Sequence, residues 1–394
     1  VKLGRIVGLT AALLLMLAAG LWLGGHPARM PPFLRDAFVD ESAGLTAEAT
    51  ELIEDDYYRP VAKGELIDSS LRGMVRELRR RHHDRFSEYF SPRALSRFNE
   101  EIEGRFSGVG LGVTKARAGL RVQSVFKRSP AERAGIEVGD TIVSVEGRSI
   151  AGLSAEAAAD RIKGPEGTEV TVGVRGGRHD KPRQVKLTRE QISLPVVSSR
   201  LKTVNGRRLG YLRIASFTEG VHAAVAAQLR RLEKRGARGL VLDLRGNGGG
   251  LLAEAVLTAS VFLPEGEVVV STRSRSEGDT VYKTRGGNLP PLPLVVPIDR
   301  NTASAAEILA AALADKAGAK TVGTRSFGKG VFQQEVDLSN GGALKLTVGE
   351  YFTPSGVNLA GKGIHPDVKA RDLPGTARDE GLERAFGLLA KEAR

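Results

Sequence analysis

The spacing of apolar residues along the chain changes character from one region to the next. In the first third, Ile67, Leu71, Met74, Val75 and Leu78 fall on one face of a helix, with Leu52 and Ile53 in an earlier one. This predicts a small helical region reaching to about Glu103. From Phe106 the period shortens. Val170, Val172 and Val174 alternate with polar residues, as do Val185 and Leu187, and Gly176-Gly177 lies between the two runs. Turn residues surround a strand between Arg133 and Gly147, and Ala155 to Lys163 reads as a short helix, so a compact α+β segment ends near Glu190.

Beyond it the runs become continuously apolar, as in strands buried on both faces. Gly239 to Leu244 is one such strand, followed by the loop Arg245-Gly246-Asn247-Gly248-Gly249-Gly250 and by helical spacing from Leu251 to Phe262. Leu294 to Ile298 is a second, ending in the turn and cap residues Asp299-Arg300-Asn301-Thr302. The alanine-rich run from Ala305 to Lys316 favours helix, Gly318 is placed to end it, and Lys320 to Gly323 reads as a short strand. A strand, a helix and a strand this close together predict a right-handed parallel crossover, which brings both strand ends to one edge of a sheet. The fold class is therefore α/β and multidomain, with a core of parallel crossovers.

Composition adds limits to this picture. The 394 residues, 41% of them apolar, suffice for two or three modest cores. Lys2 and Arg5 precede an apolar stretch from Ile6 to about Gly25, long for a signal peptide and sufficient to span a bilayer. An uncleaved membrane anchor is expected, with a cleaved signal peptide as the alternative, and the basic residues put the rest of the chain outside the cytoplasm. Cysteine is absent, which excludes disulfides, thiolate metal sites and a cysteine nucleophile. The net charge of +12 sits mainly on arginine clusters such as Arg79-Arg80-Arg81, and only 5% of residues are aromatic. A nucleic-acid surface is thereby disfavoured. Solvated helix faces account for most of this charge, and attraction to an anionic membrane surface is the alternative.

The chemistry centres on the edge that the crossover defines. Ser304 stands at the start of the alanine-rich helix, and Lys329 in Ser326-Phe327-Gly328-Lys329-Gly330 follows the next strand, so both lie on loops at one edge. The glycine run 246–250 reaches the same edge, where its backbone N–H groups suit an oxyanion hole; a phosphate cradle is the weaker alternative because no Gly-Lys-Ser/Thr pattern follows. A serine hydroxyl needs a base, and lysine serves only when neutral. Bringing a lysine from its ordinary pKa of about 10.4 to near 7 costs about 4 kcal/mol, which burial can supply. Lys329 is accordingly expected to be buried, with Phe327, Val331 and Phe332 as its apolar setting. Of the six histidines, His365 comes nearest to a competing triad, and a turn role beside Pro366 fits it better. No His/Asp/Glu spacing suggests a metal site, and no cofactor is implied.

Two resemblances sharpen this reading. Ser129-Pro130-Ala131-Glu132-Arg133-Ala134-Gly135-Ile136, Val138-Gly139-Asp140 and the loop Gly108-Val109-Gly110-Leu111-Gly112 resemble a PDZ domain. That resemblance implies binding of a protein's C-terminal tail, with its carboxylate on the backbone N–H groups of the glycine loop. Asp243-Leu244-Arg245-Gly246-Asn247-Gly248-Gly249-Gly250, the Ser304 segment, Phe327-Gly328-Lys329-Gly330-Val331-Phe332-Gln333 and Gly363-Ile364-His365-Pro366-Asp367 together resemble the carboxyl-terminal processing peptidases, tail-specific Ser-Lys proteases. By motif this implies Ser304 as nucleophile, Lys329 as general base, Gln333 as the residue orienting the lysine, and the N–H groups of Gly250 and Ala305 as oxyanion donors. Glu307 and Asp315 match acidic positions of the family and are expected to be structural supports.

The resemblance also implies a core of the ClpP/crotonase-like kind and an order of domains. Residues 1–26 would be the anchor or signal peptide, 27–102 a linker and helical region, 103–190 the inserted PDZ domain, 191–373 the protease core and 374–394 a C-terminal helix. Ala306 replaces a serine common in the family, and His83-Asp84-Arg85-Phe86-Ser87-Glu88-Tyr89 departs from the family's usual Asp-Pro-His-Ser-Ser-Tyr. The expected protein is a membrane-anchored, periplasm-facing serine endopeptidase whose partners are protein substrates captured by their tails, with room for an adaptor protein and for an oligomer. The alternative is a catalytically silent PDZ scaffold, which would have no need to keep Ser304, Lys329 and Gln333 together.

Overall fold

A computed structural model describes residues 41–392 apart from 177, 178, 287–291 and 373–377, and within the first forty only Leu14, Met16 and Gly20. Apart from those three residues the expected anchor lies outside the described residues, among which no helix is long and apolar enough to cross a membrane. The chain divides into two compact units, one formed by the residues up to Pro92 with Glu335–Leu346, the other by Arg93–Gln334 with Thr347–Arg394.

The first unit holds helices α1 (Glu41–Asp56) and α2 (Lys63–His82) and strand β1 (Glu88–Phe90), whose Phe90 pairs antiparallel with Ala343. Helix α2 ends where His83 turns left-handed, and its last turn carries Arg79, Arg80, Arg81 and His82, which suit the negative end of the helix dipole. Arg80 and Arg81 pair with Glu77, while Arg79 donates to the Ser87 carbonyl. The apolar face predicted for α2 is a helix face but not a buried one. Only Val75 is buried, whereas Ile67, Met74 and Leu78 stay exposed, as do Leu52 and Ile53 on α1. Periodicity reports which side chains share a face, and a unit with two helices and little sheet buries little of it.

In the second unit, α3 (Pro92–Glu103) leads into β2 (Arg105–Gly108), β3 (Leu111–Ala116), β4 (Gly119–Val125), α4 (Pro130–Arg133), β5 (Thr141–Val145), β6 (Arg148–Ser149), α5 (Ala155–Ile162), β7 (Glu169–Gly176), β8 (His179–Thr188) and β9 (Glu190–Ser193). Strands β3-β4-β5-β7-β8 form an antiparallel sheet, and β2 pairs with β9 where the chain enters and leaves it. The alternation at Val170, Val172 and Val174 is the inner face of β7, packed with Val185, Leu187, Leu120 and Ile142 in a core of its own. Ser129 caps α4 by accepting from the Glu132 N–H, with Pro130 in the first turn.

The remainder comprises β10 (Val197–Val204), β11 (Arg207–Ile214), α6 (Val221–Lys234), β12 (Leu240–Asp243), α7 (Leu252–Phe262), β13 (Val268–Ser274), β14 (Gly278–Lys283), β15 (Leu294–Ile298), α8 (Ala305–Ala317), β16 (Lys320–Gly323), β17 (Val331–Asp337), β18 (Ala343–Phe352), β19 (Val368–Lys369) and α9 (Glu380–Glu392). The central sheet runs β10-β11-β12-β15-β16-β19 and is parallel from β11 onward. All five residues of β15 are buried, as a strand covered on both faces requires. Helices α6, α7 and α8 pack on one face through Val225, Leu229, Ala259 and Leu309, and α9 packs on the other through Leu382, Phe386 and Leu389. Helix α8 ends at Gly318, left-handed at φ 64, and the crossover β15–α8–β16 helps bring the loops after β12, β15 and β16 to one edge.

Candidate active site

Ser304 is the N-cap of α8 and has φ 57, ψ −124, a conformation that non-glycine residues rarely adopt and that costs about 1–3 kcal/mol. Its surroundings hold it there. The Ser304 N–H donates to Glu307 Oε2 at 3.0 Å, and the Ala303 N–H donates to the Asn247 carbonyl at 3.0 Å. The side chain remains partly exposed at the start of a thirteen-residue helix, where the dipole favours developing negative charge.

Glu307 joins the serine loop to the lysine loop. It is fully buried, and besides Ser304 it accepts hydrogen bonds from Ser326 Oγ at 2.6 Å, the Gly328 N–H at 2.7 Å and the Lys329 N–H at 3.0 Å. The amides of Ser304 and Lys329 share the same oxygen, so their nitrogens can be no farther apart than two hydrogen-bond lengths. A buried carboxylate is costly unless its lone pairs are filled, and here each oxygen receives two donors. The Tyr351 hydroxyl is buried beside this carboxylate, and burial, aided by the Glu307 charge, pushes its pKa well above the ordinary phenol value.

The glycine loop closes against the same serine. Asn247, fully buried, donates from Nδ2 to the Ile214 carbonyl and accepts the Gly249 N–H at 2.9 Å on Oδ1. A Cβ on Gly249 would stand 2.8 Å from Ser304 Cβ and 3.1 Å from the Ala305 nitrogen, which shows how tightly the loops abut. Gly250 has φ 133 and pairs with Phe217, and a side chain there would meet the Phe217 carbonyl oxygen at 2.3 Å, so glycine is required. The bridge uses the Gly249 carbonyl and the Leu251 N–H, leaving the N–H groups of Gly250 and Ala305 without an acceptor among the described residues.

Lys329 is half-buried rather than buried, and Phe327, expected to shield it, is 45% exposed. The backbone explains the difference: the amides of residues 327, 328 and 329 all turn inward, to the Thr302 carbonyl and to Glu307, and the Phe327 side chain turns out. Gln333, on β17, donates from Nε2 to Thr347 Oγ1 at 3.2 Å, so the hydrogen bond its side chain makes goes to the neighbouring strand. Asp315 accepts the Ser355 N–H, a supporting bond at the far end of α8. His365 is exposed in its turn. In the antiparallel domain, Gly108 ends β2, Leu111 and Gly112 begin β3, and the amides of Val109 and Gly110 between them donate to nothing among the described residues. No cluster of three or more metal-ligating side chains occurs among the described residues.

Sequence reasoning did not single out Asn247, Thr302 or Tyr351. Asn247 carried a signal, because an asparagine two residues before a glycine commonly accepts that residue's N–H. Thr302, fully buried and bonded to the Leu244 carbonyl, carried only its place in a cap-like run, and Tyr351 carried none.

A strained serine at a helix start, two unpartnered amides beside it and a lysine loop pinned to the same carboxylate stand together at one edge of the sheet. A model of peptidase family S41 matches residues 208–370, and a PDZ-domain model matches residues 121–176. The chain belongs to peptidase family S41, among the PDZ-bearing carboxy-terminal processing proteases. It is 34% identical over 332 residues to carboxy-terminal processing protease CtpA of Bacillus subtilis, covering 84% of this chain and 69% of that protein. To the carboxy-terminal-processing protease of Bartonella bacilliformis it is 36% identical over 309 residues, 77% of this chain and 69% of the other. Among solved structures, a photosystem II D1 C-terminal processing protease matches with a TM-score of 0.50 and 31% identity over 88% of this chain and 91% of that one.

Proposed function

We propose that Ser304 and Lys329 form the catalytic dyad of this peptidase, with Gly250 and Ala305 as oxyanion donors. The observation that carries the reading is the shared Glu307 oxygen, which fixes the backbone of nucleophile and base to one point, beside two free amides. Ser304 Oγ attacks the peptide carbonyl carbon while Lys329 Nζ, active only in its unprotonated form, takes its proton. The oxyanion is held by the N–H groups of Gly250 and Ala305. Collapse breaks the C–N bond, Lys329 returns the proton to the departing amine, and the acyl group remains on Ser304 as an ester. Water then attacks the ester carbonyl as Lys329 takes its proton, and Lys329 passes that proton to Ser304 Oγ as the acyl C–O bond breaks, freeing the serine hydroxyl and the new C-terminal carboxylic acid, which ionises. Gln333, four residues along the chain from Lys329 and anchored on Thr347, positions the lysine.

The tail of the substrate enters through the PDZ domain. Two buried amides without acceptors, on Val109 and Gly110, suit a terminal carboxylate, and the extended tail adds to the sheet edge. Residues 1–26 hold the peptidase at a membrane on its extracytoplasmic side. Cleavage of a tailed protein by the intact chain, by Ser304→Ala and by Lys329→Ala tests the dyad. Loss in both variants is expected, and equal cleavage by all three would remove it.

A further inference from the structure

On the α9 side of the parallel sheet, at the edge where its strands end, lies a cavity of about 680 Å³. Its lining includes five arginines, and four of them come from corresponding places in the fold. Arg300, Arg325 and Arg371 each stand two residues beyond the end of a parallel strand, β15, β16 and β19, and Arg213 is the penultimate residue of β11. Arg213 follows Leu209 and Tyr211 at the two-residue period of the face that α9 covers. The fold, not the local sequence, gathers these guanidiniums.

Four aspartates, Asp243, Asp299, Asp372 and Asp379, share the lining with the five arginines, but none of them pairs with Arg213, Arg300, Arg325 or Arg371. Arg245 is held by Asp243 and Asp379. Asp299 accepts the N–H groups of Gly246, Asn301 and Thr302. Asp372 accepts the Gly381 N–H and lies 3.7 Å from Arg245. The side chains of the four other arginines, all exposed residues, make no hydrogen bond or ion pair among the described residues. In open α/β sheets, ligands bind in the crevice beyond the carboxyl ends of the strands. A single carboxylate would occupy one guanidinium fork, whereas several forks around one cavity match a ligand with more than one phosphate-type charge.

We propose that this arginine-lined cavity binds a ligand carrying two or more phosphate charges, either a soluble polyphosphate or a lipid headgroup. Such a ligand would sit at the roots of all three catalytic loops, since Gly246, Asp299 and Thr324 line the cavity and lead to Gly250, Ser304 and Lys329. The proposal does not depend on how Ser304 works. Calorimetric titration of the full chain with pyrophosphate at constant ionic strength should show one saturable site. The Arg213→Gln/Arg371→Gln double variant should bind at least tenfold more weakly while cleaving a short peptide at the wild-type rate. Sedimentation with vesicles containing cardiolipin, whose headgroup carries two phosphates, against phosphatidylcholine alone, separates the two sources: vesicle binding displaced by pyrophosphate assigns a headgroup, and pyrophosphate binding without vesicle binding assigns a soluble ligand. Absence of saturable pyrophosphate binding, equal binding by the double variant, or binding of polyglutamate in place of pyrophosphate would each overturn the proposal.

Discussion

The two glycine-rich loops of the second unit each present a pair of unpartnered amides, but they assemble them differently. In the PDZ domain the pair is Val109 and Gly110, neighbours in the chain. In the peptidase core it is Gly250 and Ala305, brought together only because Asn247, Gly249, Ser304 and Glu307 lock two distant loops. A local pair depends on its own turn, whereas a pair drawn from two loops depends on every bond between them. Tail capture should therefore tolerate substitutions in the core that catalysis does not.

The largest expected effect follows from Gly250→Ala. A methyl group there meets the Phe217 carbonyl, so the loop must move, and loss of one proposed oxyanion donor is expected to lower kcat by about 10²–10³-fold. Tail affinity, measured by fluorescence anisotropy, should be unchanged; a parallel loss of affinity would mean that the two loops are not independent. Glu307→Gln comes next. One of its two oxygens, each of which accepts two hydrogen bonds, becomes an NH₂ group facing donors, which should lower stability in urea unfolding by about 2–3 kcal/mol. Asn247→Ala removes one donor and one acceptor from the loop root and should cost about 1–2 kcal/mol, with kcat falling and tail affinity intact.

The complementary change lies in the other loop. Gly110→Ala places a Cβ 2.1 Å from Ser129 Cβ at φ 81, and should weaken tail binding about tenfold, equivalent to 1.4 kcal/mol, while hydrolysis of a short untailed peptide proceeds normally. The smallest effect concerns the root of the catalytic loop. Burial works against ionisation of Asp379, but its hydrogen bonds with Arg245 outweigh this and hold its pKa below the usual carboxylate range. A lowered folded pKa stabilises above the unfolded value of about 3.9 and is lost as pH falls through the folded one. Thermal unfolding should show Asp379→Asn slightly less stable than the wild type at neutral pH, with the two converging below about pH 4.

The same division between local and distant determinants governs what the sequence made legible. The run 294–298, the helix from Ala305 and its stop at Gly318 follow from local pattern, and so does the alternation at Val170, Val172 and Val174. The face of α2 was legible as a face, but its exposure was not, because burial depends on what packs against it. Ser304 gave no sign of its positive φ, which its neighbours impose. Glu307 was recognisable as a support, yet its four donors come from two loops. The half-buried setting of Lys329 was missed because the inward-turned backbone of 327–329 sends Phe327 outward.

The dyad itself can be tested by intact-mass spectrometry after exposure to a fluorophosphonate, which forms an adduct with an activated serine. One adduct per chain on Ser304 is predicted for the wild type, none for Ser304→Ala, and labelling at least a hundredfold slower for Lys329→Ala with its circular dichroism unchanged. Labelling of Lys329→Ala at the wild-type rate, or an adduct on another serine, would contradict the account.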